Sequence, residues 1–106
     1  MIKTEPVIVS AFRIDNAPGL DPILVIFQDL KPGQGRVIIQ CYGQAWTGYW
    51  CAMGDRLVRD FVTQVDVDYL ACKLVPFGTK VTKRAEEYLF RVTCAVHTAL
   101  NKAAAP

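Results

Sequence analysis

Histidine is almost absent from this sequence: His97 is the only one in 106 residues. A lone histidine among alanines and threonines reads as a surface or half-buried side chain rather than a catalyst. Close cysteine pairs are absent too. Cys41, Cys51, Cys72 and Cys94 stand far apart, with no C-x-x-C among them. Zinc sites bring ligands in close pairs because two ligands on one turn cost little to organise. Cys94 and His97, three apart on a helical stretch, are the nearest approach, and two further ligands would have to come from other elements. The cysteines are therefore expected to be free thiols acting as small hydrophobes in a reduced cell, with no metal and no cofactor. No G-x-S-x-G, H-E-x-x-H, P-loop or dinucleotide fingerprint occurs. The formal net charge is only +2, which does not supply the clustered basic groups of a strong non-specific nucleic-acid binder. No apolar run approaches the roughly 20 residues of a membrane helix. The opening MIKTEPVIVSAF lacks the pattern of a secretory leader. A soluble cytoplasmic protein is expected.

What is present is a globular composition, 52% hydrophobic and 21% charged. A chain of this length forms one domain, residues 1–106, and buries roughly two-thirds of its unfolded surface. Residues 102–106 are expected to fray. The first 42 residues read as three strands: PVIVSAFRI (about 6–14), PILVIFQ (about 22–28) and GRVIIQCY (about 35–42). The separators are short, and Pro32-Gly33 suits a tight turn, so an antiparallel meander is expected. From there the spacing predicts four helices, over about 45–53, 55–65, 67–74 and 82–101. Gly54 and Asp55 punctuate the first two, Asp66 or Asp68 caps the third, Pro76 and Gly78 stop it, and the fourth carries a stripe Ala85, Leu89, Val92, Val96 and Ala99. The expectation is an α+β fold, a three-stranded meander with four helices packed on one face.

The most distinctive stretch is GQAWTGYWCAMGD, residues 43–55, with two tryptophans, a tyrosine, a methionine and a cysteine framed by Gly43, Gly48 and Gly54. Trp46, Tyr49, Trp50 and Met53 fall at i, i+3, i+4 and i+7, one face of a helix. Trp46, Trp50 and Met53, with Phe61, then form an aromatic lid over the sheet, each tryptophan burying on the order of 150–250 Å². Glycine is unfavourable in such a helix by roughly 1 kcal/mol relative to alanine. Gly48 therefore marks a close approach of backbone to another element, or the segment carries an exposed partner-binding patch. Tyr42 and Tyr49 are the members expected to be exposed.

CYGQAWTGYWCAMGDRLVRDFVTQVDVDYLACKL (41–74), with its Tyr-Gly pair, its W-x-x-x-W, its Ala-Met-Gly turn and its Asp-x-Asp-Tyr-Leu motif, resembles a family of small bacteriophage and prophage proteins. The likeness extends back through GLDPILVIFQDLKPGQGRVIIQCYG and so covers about 19–74, leaving the part after about 76 outside it. The resemblance implies a phage accessory gene expressed inside a bacterium, and carries over no catalytic residues.

Three function classes follow. The first is a non-enzymatic module that binds a host or phage protein, for instance an inhibitor of host defence, through Tyr42, Tyr49, Arg56, Arg59 and Asp60. Its bland counterpart is a solvated helix face for the charges. The second is a nucleic-acid binder using Lys73, Lys80, Lys83, Arg84, Tyr88 and Arg91, with Glu86 and Glu87 interrupting the patch. The third is an enzyme, a hydrolase built on Asp66 and Asp68 with Asp55 and Asp60 nearby. Helix caps and first-turn charges account for these carboxylates at less cost, so the expectation is no enzyme. Homodimerisation is expected through open sheet edges or the long last helix.

Overall fold

A computed structural model describes residues 1–76 and 80–104. Four strands, β1 (Ile8–Ile14), β2 (Ile23–Lys31), β3 (Gln34–Cys41) and β4 (Gln44–Trp50), form one antiparallel sheet in the order β1-β2-β3-β4. Three helices follow, α1 (Val58–Gln64), α2 (Val67–Leu74) and α3 (Lys83–Ala104). The class is the α+β fold the sequence predicts, but with four strands and three helices rather than three and four. Gly78, expected to help stop α2, lies outside the described residues. α3 runs on to Ala104 rather than ending near 101.

The correction falls on the aromatic segment. Residues 44–50 form a strand, not the first helix. Tyr42 and Gly43, both at positive φ (49° and 73°), make a two-residue hairpin turn that leads β3 straight into β4. Both central residues of such a turn need left-handed backbone, which matches the right-handed twist of the strands it joins. With no residues left over for a crossover, β4 must lie antiparallel to β3. Thr47, Tyr49 and Trp50 then fit a pleated surface better than a helix. Trp46 and Trp50 point the same way in either geometry, since four residues is close to one helical turn and two strand repeats.

One side of the sheet, the inner face, presents Ile23, Val25 and Phe27 from β2, Val37, Ile39 and Cys41 from β3, and Trp46 and Trp50 from β4, all buried. The helices cover this face: α1 over β2 and β3, α2 over β4, α3 over β2. Their contribution is Val58 and Val62, Leu70 and Leu74, and the α3 stripe Leu89, Val92, Val96 and Leu100. Ala85 of the expected stripe is exposed, and Leu100 replaces Ala99 at its end. Gly48 sits on the inner face between the two tryptophans. A Cβ there would come within 2.9 Å of the Trp50 ring, so the missing side chain is the space that the Trp50 indole occupies. The close approach inferred for Gly48 is thus to its own strand's tryptophan.

The helix starts are fixed from unexpected places. The first backbone N–H of α1, on Val58, donates to Asp29 Oδ1 at 2.8 Å, across from the end of β2. Asp55 does not cap it; the N-cap position is Leu57. Asp66 stands at the N-cap of α2 without a side-chain bond. Thr82 caps α3, its Oγ1 accepting from the Ala85 N–H at 3.1 Å.

Candidate functional site

The aromatic segment divides strictly by the strand period. Trp50 is pinned in the core: its Nε1–H donates to Tyr69 Oη of α2 at 3.0 Å, and its ring lies 5.3 Å from that of Phe61. Trp46 packs against Tyr88 of α3 at 6.0 Å. Met53 is buried behind the strand, its N–H bonded to the Gly33 carbonyl at 3.0 Å. Phe61 is half-buried. Trp46, Trp50 and Met53 leave little open surface on which to hold a partner.

The five residues expected to form a partner patch are not gathered into one. Tyr49 lies on the outer face of the sheet, opposite the helices, where its hydroxyl meets the Gln34 amide and its ring lies 5.9 Å from the Arg36 guanidinium. Arg56 and Arg59 belong to the helical side. Arg56 stacks on Phe61 at 4.7 Å and donates to the Met53 carbonyl and to Gln64 Oε1. Arg59 lies over Phe12 at 5.3 Å, and Asp60 occupies the first turn of α1. Both arginines close the edge of the core with their planar heads. Tyr42 stands alone at the far end of β3, about 20 Å along the strand from the Arg36–Tyr49 pair.

The basic set is likewise divided. Lys73 is in the last turn of α2, and Lys80 and Lys83 are exposed before and at the start of α3. Tyr88 is not free to stack on a base: it packs on Trp46 and its hydroxyl donates to Cys41 Sγ at 3.3 Å. Cys41 in turn donates to the Asp21 carbonyl at 3.5 Å. The Cys41 hydrogen bond, then burial, pushes the Tyr88 phenol up to about 12. Arg91 Nη2 donates to the Gly19 carbonyl at 3.1 Å. Tyr88 and Arg91 thus fasten α3 to the β1–β2 connection, and of the expected basic set Lys73, Lys80, Lys83 and Arg84 remain outward.

Among the described residues no group of three His, Cys, Asp or Glu side chains comes together as a metal site would require. His97 Nε2 lies 2.9 Å from the Val65 carbonyl, so that nitrogen carries the proton, and Asn101 Nδ2 donates to its other ring nitrogen at 3.3 Å. Burial, and secondarily Asp68, pushes the Cys94 thiol up.

Two surface features do collect functional side chains. The first is the Tyr42-Gly43 turn. The Tyr42 ring is 75% exposed and stands between two depressions. One, of about 400 Å³, runs toward α3 and is lined by Asp21, Gln44, Thr82, Arg84 and Tyr88. The other, of about 380 Å³, opens onto the outer face beside Leu24, Gln40 and Ala45. A non-glycine residue in the left-handed region costs roughly 1–2 kcal/mol, asparagine and aspartate least among them. Tyr42, at 75% exposed, buries little surface to offset that cost.

The second is the outer face itself. Its central row, read across the four strands, is Ala11, Ile26, Ile38 and Thr47. The row toward the Gly33 end is Val9, Gln28, Arg36 and Tyr49, and the row toward the Tyr42 end is Arg13, Leu24, Gln40 and Ala45. Leu24, Ile26 and Ile38 are partly buried within this face.

These features define a small α+β protein: a four-stranded meander with helices on one face, a mixed apolar and polar face on the other and a tyrosine-bearing tip. The chain belongs to a phage family, Phage_phiTE_072, whose model matches residues 2–94. The match includes β1 and α3 as far as Cys94, so the family pattern extends well past the 19–74 expected from resemblance. Comparison with curated proteins and with solved structures found no match. No described helix is long and apolar enough to cross a membrane.

Proposed function

We propose that this phage-family chain is a non-enzymatic accessory protein that acts in the cytoplasm of the bacterial host by binding a host or phage protein, as an inhibitor of a host defence system would. The observation that carries the reading is Tyr42. Selection for stability alone favours Asn, Asp or Gly at this turn position, and an aromatic ring held there in water, in a strained backbone, is retained for contact with something else. Gln44 and Arg84 beside it offer hydrogen-bond donors around an aromatic anchor, the usual make-up of an interface hot spot. The nucleic-acid alternative has less support, since Tyr88 and Arg91 are engaged inside the fold and Glu86 and Glu87 flank the remaining bases.

The test is affinity capture from nuclease-treated host lysate with the wild-type chain and with Tyr42→Asn. One protein held near stoichiometry by wild type and lost by Tyr42→Asn, whose melting temperature is unchanged or raised, is the expected outcome. Stability of the variant is expected to rise by up to about 1 kcal/mol, because asparagine accepts the left-handed region more readily. Retention of nuclease-sensitive material alone would move the function to Lys73, Lys80, Lys83 and Arg84, with the steep salt dependence of phosphate contacts.

A further inference from the structure

The two edges of the sheet are finished differently. β4 is roofed by α2, and every second residue of it, Trp46, Gly48 and Trp50, is buried. β1 is the opposite edge and pairs with β2 on one side only. The helices rest on β2, β3 and β4, and residues 8–11 of β1 are exposed whichever face they belong to. Ile8, of the inner parity, is 74% exposed. An edge strand presents a row of unpaired N–H and C=O groups, and stable folds blunt such rows with a charge, a proline or a bulge. β1 has none of these between Ile8 and Phe12. Its one charged residue, Arg13, is paired with Asp15, and the register irregularity falls between β2 and β3.

We infer that β1 is a docking edge for an extended segment of a partner protein, added as a fifth strand, with an apolar side chain and a carboxylate on its helix-side face. Only another strand matches a row of alternating backbone donors and acceptors, so the edge itself sets the conformation of its occupant. The side chains follow from what stands beside β1 on the inner side. At one end Asp29 lies opposite Ile8 and accepts from the Val58 N–H, which brings the exposed Leu57 to the same corner. An inward residue of the added strand has Ile8 and Leu57 as neighbours there, and an apolar one suits them.

Further along the strand the setting is cationic. Arg59 lies over Phe12 at 5.3 Å and over Phe27 at 5.8 Å, so its guanidinium stands above the seam between β1 and β2. Successive helical residues are roughly 100° apart. Asp60 therefore falls on the solvent side of α1, between Arg59 on the β1 flank and Phe61 on the Trp50 flank. The carboxylates near β1 are engaged: Glu5 with Lys3, Asp15 with Arg13, and Asp29 with the Val58 N–H. Among the described residues Arg59 has no ion-pair partner. A strand about 4.8 Å beyond β1 sets its residue opposite Ser10 or Phe12 beside that guanidinium, two or four positions from the apolar one and on the same face. A carboxylate there completes the site. A second copy does not supply it through β1, which contains no Asp or Glu from Val7 to Ile14 and would bring another Arg59 instead.

The Ile8 corner lies at the Gly33 end of the sheet, away from Tyr42, so the inference stands apart from the Tyr42 reading. The probe is a fluorescein-labelled nine-residue peptide that alternates valine with threonine and has one central aspartate on the valine face. Anisotropy and amide hydrogen exchange of the full chain read its binding. Wild type is expected to bind it, with alternate amides of β1 protected and those of β4 unchanged. Lysine in place of the aspartate should weaken binding about fivefold. Prolines at the fourth and seventh peptide residues should abolish it, since proline cannot donate to a ladder. Arg59→Gln should bind the aspartate and lysine peptides equally, and Ile8→Ser, at an exposed position, should weaken both alike. Tyr42→Asn is expected to bind as wild type does. No binding at millimolar peptide would overturn the inference, as would binding that leaves the β1 amides unprotected or does not distinguish aspartate from lysine. So would a wild-type mass that doubles from 11.8 kDa without peptide and with β1 amides protected, which would give the edge to a second copy.

Discussion

Neighbouring aliphatic residues in the central strands of one sheet point to opposite faces and meet different fates. Val25 and Ile26 are neighbours in β2, as are Ile38 and Ile39 in β3. Val25 and Ile39 are fully buried under the helices, whereas Ile26 and Ile38 keep part of their surface in solvent on the other side. Hydrophobicity therefore does not by itself mark the core of this domain. What marks it is the parity that also contains the tryptophans, because the helices gather where the largest apolar area is. The opposite parity sets Leu24, Ile26 and Ile38 among Arg13, Gln28, Arg36, Gln40 and Thr47, the mixed composition of a solvated sheet face.

Substitutions on the two faces sharpen the contrast. Trp50→Ala is expected to have the largest effect, about 3–5 kcal/mol, enough to unfold a marginal domain, because it removes the ring that Phe61 and Tyr69 pack upon. Ile39→Ala on the inner face should cost about 2–5 kcal/mol at any concentration. Ile38→Ala, one residue away, should cost under about 1.5 kcal/mol. Chemical denaturation reads both. Equal costs at both positions would erase the distinction between the faces.

A smaller effect probes the inner seam between β3 and α3. Tyr88 is held protonated by Cys41, and its phenol lies at about 12 against an ordinary 10.0. A raised value in the folded state means that the native protein keeps a proton that the unfolded chain gives up. Its contribution is therefore whole below about pH 10 and is lost as pH rises through 12. The difference in stability between wild type and Tyr88→Phe should be constant below pH 10 and shrink between 10 and 12. A difference that is flat across that window would mean the Tyr88–Cys41 bond does not form.

Much of this fold was legible in the sequence, and the misses have specific physical causes. β1, β2 and β3 follow from β-branched runs, Pro32-Gly33 from turn chemistry, and α3 from the spacing of Leu89, Val92 and Val96. β4 was missed because Trp46 and Trp50, four apart, satisfy helix and strand periods alike. The deciding signal was local: a Tyr-Gly pair between two β-forming runs is a hairpin turn, and Gly48 is a poor helix residue but a good neighbour for an inward tryptophan. The cap of α1 was not legible, since Asp29 reaches Val58 from 29 positions away and only the folded sheet brings them together. The scattering of the expected partner patch has the same origin. Tyr49 and Arg56 are seven apart in sequence, yet a strand parity puts one on the outer face while the chain carries the other to the helices. The outward Leu24 and Ile26 were visible in PILVIF, an apolar run that Gln28 ends on the outer side of β2.

The central claim is that Tyr42 is held at the tip of the sheet for contact with a protein partner, and affinity capture from nuclease-treated host lysate with wild type and Tyr42→Asn tests it most directly. The account predicts one protein retained by wild type and lost by a Tyr42→Asn chain whose melting temperature is unchanged or raised. Equal retention by both chains would contradict it.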